Sequence, residues 1–84
     1  MKETLREFLL ECADELKDRL HEAKYAKVHD LASILSAIDL KARRIDQIGR
    51  YNEGEDFVSS KIAYELGMID DLIKLNRNRI PGEQ

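Results

Sequence analysis

A single cysteine, Cys12, excludes an internal disulfide, so the fold has to stand on packing alone. Leu9 and Leu16 flank it one turn away, and no cation or histidine lies within a turn on the same face. A buried, unreactive thiol in a reducing compartment is the expectation. Proline occurs once, at Pro81, and glycine four times, so few positions force a helix to stop. Tryptophan is absent and aromatics make up 6% of the chain, against 37% charged residues. That balance belongs to helical bundles rather than to sandwiches or disordered tails. Long apolar runs are missing too. In "MKETLREFLLECADEL" acids interrupt every apolar stretch, so no secretory signal is expected, and no window approaches the roughly 20 apolar residues of a membrane span. A cytoplasmic protein with no membrane contact is expected.

The 84 residues make one helical domain, 1–84, near the small end of what folds alone, where about 60–65% of the unfolded surface is buried. Thin stability makes self-association worth seeking. A net charge of −3 disfavours non-specific binding to nucleic acid or to anionic membrane.

What is present is helical periodicity throughout, with no strand alternation. Leu5, Leu9, Cys12, Leu16, Leu20 and Ala23, widened by Phe8, form one apolar stripe, and Leu31, Ile34, Leu35, Ile38, Ala42 and Ile45 form a second. Gly49, Asn52 and Gly54 mark the strongest break. Beyond it, Val58, Ile62, Leu66, Ile69, Ile73 and Ile80 face one way, and Phe57, Tyr64, Met68, Leu72 and Leu75 form a stripe beside them. The two stripes cover roughly 200°, more than the apolar face of at least about 100° found on an ordinary surface helix. The second stripe is therefore expected to serve self-association as a homodimer, unless this helix is central to the domain. The fold expected is an all-α antiparallel three-helix bundle with helices near 2–24, 29–49 and 55–79. No glycine or proline separates the first two, so one long helix over 2–49, folded against 55–79 in a dimer, is the alternative. Asp30 is a candidate N-cap for the second helix, and Ser59 and Ser60 are expected to serve the backbone at the start of the third. Gly67 costs about 1 kcal/mol relative to alanine unless a neighbouring helix approaches Ser60, Ala63 and Gly67 closely.

Three polar patterns are candidates for function. Glu3, Glu7, Glu11, Asp14, Glu15, Asp18 and Glu22 share one arc opposite the core stripe of the first helix. Like charges four apart destabilise a helix by a few tenths of a kcal/mol each. A protein partner with a basic surface would offset that cost, and such a partner, bound without catalysis in a regulatory, adaptor or inhibitor role, is the expected function. The runner-up is an anion site for nucleic acid or a phosphorylated small ligand, built from His29, Ser36, Lys41, Arg43, Arg44 and Gln47. Arg44 stands out there because no acid lies three or four residues away. Most of the charge in "DLKARRIDQIGRYNEGED" is otherwise explained by helix dipoles and by the pairs Asp39/Arg43 and Asp46/Arg50. Lys74, Arg77 and Arg79, brought near Lys24 and Lys27, are a third candidate, a basic cap. No catalytic constellation, no cofactor motif and no metal-ligand spacing is present, His21 and His29 pointing differently on one wheel. An enzyme is not expected.

Overall fold

The computed structural model describes residues 2–82, with side chains from residue 4 onward. Helix α1 spans Lys2–Ala23, α2 spans Val28–Glu53, and α3 spans Lys61–Arg77, with a 3₁₀ helix over Gly54–Ser59 before α3. The three α-helices pack against one another, and no strand occurs among the described residues. At about 1.5 Å per residue, the 26 residues of α2 account for most of the molecule's 42 Å length. Chain direction follows from two contacts: Arg6 near the start of α1 pairs with Glu53 at the end of α2, and Arg79 beyond α3 reaches the end of α1. The bundle therefore runs up, down and up.

Each helix contributes its apolar face to one core. Leu9, Ala13, Leu16, Leu20 and Ala23 meet Leu31, Leu35, Ile38 and Ile45 from α2 and Ile62, Leu66, Ile69 and Ile73 from α3. Ala13, wholly buried, takes the central position expected for Cys12, which lies partly exposed at the edge. Phe8 was expected to widen the stripe but is 57% exposed. With Leu9, Ala13, Leu16 and Leu20 facing the core, Phe8, one position and about 100° from Leu9 on the helix, points to solvent.

The corner between α1 and α2 contains no glycine or proline and still breaks, so the single-long-helix alternative is overturned. Backbone bonds from Tyr25 N to Glu22 O and from Ala26 N to Ala23 O, both 3.0 Å, tighten the last turn. The Arg79 guanidinium then donates to Ala23 O at 3.2 Å and to Ala26 O at 3.1 Å. Carbonyls that a helix end leaves without partners are thus satisfied from a distant part of the chain. Lys27, in an extended conformation, is the N-cap of α2 and offers no side-chain cap. Asp30, expected as that cap, instead lies in the first turn, where the helix dipole favours an acid.

The second break falls later than the sequence indicates. Helix α2 runs through Gly49 to Glu53 and ends at Gly54, whose φ of 61° suits glycine. The 3₁₀ turn then folds Phe57 back beneath α2, fully buried, with the Arg50 guanidinium 5.9 Å from the ring centre. Val58, expected in the core, is 63% exposed in its place. Ser60 closes the junction: its hydroxyl accepts from Ala63 N at 3.2 Å and donates to Phe57 O at 2.6 Å.

Candidate functional site

The outer face of α1 presents Glu7, Glu11, Asp14, Glu15, Asp18 and Glu22, all exposed. The side chain of Glu3 lies outside the described residues. Asp14 has a cation nearby, Lys17 at 3.5 Å, but Lys17 is drawn more strongly inward, where its ammonium sits 2.6 Å from Oε2 of the buried Glu65. The bond to Glu65 is the main cause holding the Lys17 pKa above the ordinary lysine value. Among the described residues Glu7, Glu11, Glu15, Asp18 and Glu22 make no ion pair. Four acids on the other helices are matched, Asp39 with Arg43 at 3.1 Å, Asp46 with Arg50 at 2.8 Å, Asp70 with Lys74 at 2.9 Å, and Glu53 with Arg6, while Asp71 on α3 makes no ion pair among the described residues.

The structure divides the expected anion site on α2. Arg43 turns toward α3 and is neutralised by Asp39, on the rim of a groove that also holds Asp46 and Arg50. Ser36 and Gln47 are exposed on the far side, and His29 lies 3.4 Å from Asp30. Lys41 and Arg44 turn the other way, toward α1, where they line a cleft of about 250 Å³ together with Arg19, Glu15, Cys12, Leu16 and Ile45. Arg19 was missed in the sequence, where it stands between Glu15 and Glu22 on a helix marked by its acids. Only the packing of α1 on α2 carries it to Lys41 and Arg44.

Cys12 sits in this cleft as a neutral thiol. Burial raises its pKa first, and the charges of Glu15 and Glu11 raise it further. The basic cap expected near Lys24 and Lys27 is largely committed elsewhere, Arg79 to the carbonyls of α1 and Lys74 to Asp70.

The expected self-association stripe is also redrawn. Phe57 is core, and Leu72 is partly buried against the core. Tyr64, Met68 and Leu75 remain exposed on one face of α3, at 69%, 41% and 64%. Gly67 is exposed with open space around it, so the close helix approach expected there does not occur within the chain.

Among the described residues no helix is long and apolar enough to cross a membrane, and no group of three acids, histidines or cysteines is placed to hold a metal ion. No known protein family matches the chain, and comparison with curated proteins and with solved structures finds no similar protein.

Proposed function

We propose that this chain is a non-enzymatic regulatory, adaptor or inhibitor protein that binds a protein partner with a basic surface through the acidic face of α1. The observation that carries the reading is the contrast in charge matching. Asp39, Asp46 and Glu53 on α2 and Asp70 on α3 hold cations of this chain, whereas Glu7, Glu11, Glu15, Asp18 and Glu22 stand without ion pairs in a row. Such a row costs helix stability and gives a long-range field that steers and orients a cationic partner. The same molecule pairs with a second copy through Tyr64, Met68 and Leu75, which is supported by their exposure along one face of α3. The working environment is the cytoplasm, in keeping with a lone unpaired thiol.

Affinity capture from a cell extract tests the binding function when parent and a Glu7→Gln, Glu11→Gln, Asp18→Gln variant are run side by side. The parent is expected to retain a basic protein that the variant loses and that elutes with salt. Equal retention by both overturns the reading. None of these positions lines the cleft at Glu15.

A further inference from the structure

Arg19, Lys41 and Arg44 come from two helices, line one cleft, and make no ion pair among the described residues. Lys41 and Arg44 lie one turn apart on the same helix, where like charges repel. The groove on the other side of α2 shows how this chain ordinarily treats such cations, with Arg43 and Arg50 each given an aspartate four residues earlier. Along the α1–α2 seam Glu15 in this cleft and Glu22 in the adjoining one face the three cations, so the lining keeps one positive charge in excess.

The cleft is also not uniformly polar. Cys12, Leu16 and Ile45 form its floor, with Leu16 and Ile45 belonging to the buried core. Arg19 is shared with an adjoining cleft along the same seam, whose other walls are Glu22 and the apolar side chains of Ala23, Ala26, Ile34, Ala37 and Ile38. A cationic rim therefore lies beside apolar surface on one continuous seam. Guanidinium forks match the paired oxygens of a phosphate or carboxylate, and a lysine adds a point charge. Apolar flanks reward a ligand whose anionic head carries a short hydrophobic body.

We infer that the α1–α2 seam is a binding site for a small amphipathic oxyanion, its head held by Arg19, Lys41 and Arg44 and its apolar body laid over Leu16, Ile45 and the adjoining cleft. The anion supplies the counter-charge that the protein omits and removes the repulsion between Lys41 and Arg44. The site shares Glu15 with the acidic face, but its cations and its test are separate from that reading.

Phenyl phosphate is the first probe and benzoate the second, so that the arms separate phosphate from carboxylate recognition. Titration followed by amide resonances should move Cys12, Leu16 and Ile45 saturably. It should also slow modification of Cys12 by the neutral disulfide 4,4′-dithiodipyridine. Arg44→Gln, at an exposed position with no ion pair to lose, leaves the helical spectrum unchanged and weakens binding about tenfold or more, as loss of one charge-assisted hydrogen bond does. Lys41→Gln weakens it in the same direction. Absence of saturation into the tens of millimolar overturns the site, as does a response that survives both substitutions. Inorganic phosphate binding as tightly as phenyl phosphate overturns the apolar half of the inference.

Discussion

The ring of Phe57 lies directly against the backbone of Gly49, so closely that a Cβ built on Gly49 would fall 2.0 Å from the ring's Cε1. This contact seats the 3₁₀ turn against α2 just before α3 begins. Gly49→Ala is therefore expected to destabilise the fold by about 1–3 kcal/mol through overpacking. Phe57→Ala is expected to cost about 3–5 kcal/mol through the lost core side chain. Urea unfolding of both single variants and of the double variant checks the contact. In the double variant the Gly49→Ala cost should largely vanish, and strictly additive values would show that the two residues do not meet.

Gly67 offers the opposite case. It lies inside α3, exposed, with no atom within 4 Å of a Cβ placed there. Gly67→Ala is expected to stabilise the protein by up to about 1 kcal/mol, raising its melting temperature by roughly 4–8 °C. A calorimetric scan showing a lower melting temperature would mean that the position is crowded in solution, as it would be if a second molecule packed over it.

The Lys17–Glu65 pair gives stability a dependence on alkaline pH. Lys17 binds its proton more tightly in the folded state than in the unfolded chain, chiefly through its bond to Glu65. Its contribution is complete below the ordinary lysine value of about 10.4 and is lost as pH rises through the higher folded value. The difference in urea midpoint between the parent and Lys17→Gln should therefore shrink as pH rises above about 10. A difference that stays constant from neutral pH into that range would refute the linkage.

Self-association through α3 is read most directly by light scattering. The parent is expected at twice the monomer mass, and Tyr64→Glu with Met68→Glu at the monomer mass with its helical spectrum retained. These side chains are exposed, so charge at the two positions should not disturb the core. A monomeric parent refutes the dimer.

Fold class and the direction of most side chains were legible in the sequence, because Leu9, Leu16, Leu20, Leu35, Ile38 and Ile69 repeat at helical spacing and are all buried. The errors gather where local pattern meets tertiary geometry. Phe57 and Val58 are neighbours, and the 3₁₀ turn, whose period differs from that of an α-helix, decides which of them enters the core. Gly49 reads as a helix breaker, yet it serves as the flat seat of a ring. Lys41 and Arg44 were visible as candidate anion-binding residues on α2, Arg44 for want of an acid at helical spacing, but Arg19 joins them only through packing between helices.

Replacing Arg79 by Gln should cost about 1–2 kcal/mol, since its guanidinium bonds to Ala23 O and Ala26 O are charge-assisted. Thermal unfolding of Arg79→Gln, and of Arg79→Lys as a cation without the fork, measures this, and an unchanged midpoint in both would remove the clasp.

That clasp also sets an order of events in time. Ala23 and Arg79 are 56 positions apart, so a growing chain must be extended well beyond α2 before the group that secures the end of α1 has been made. Until then the corner at residues 24–27 is held by its own short backbone bonds and by the packing of α1 on α2. The bend becomes secure when synthesis reaches residue 79, and a message cut short before that codon yields a chain with an unfastened corner.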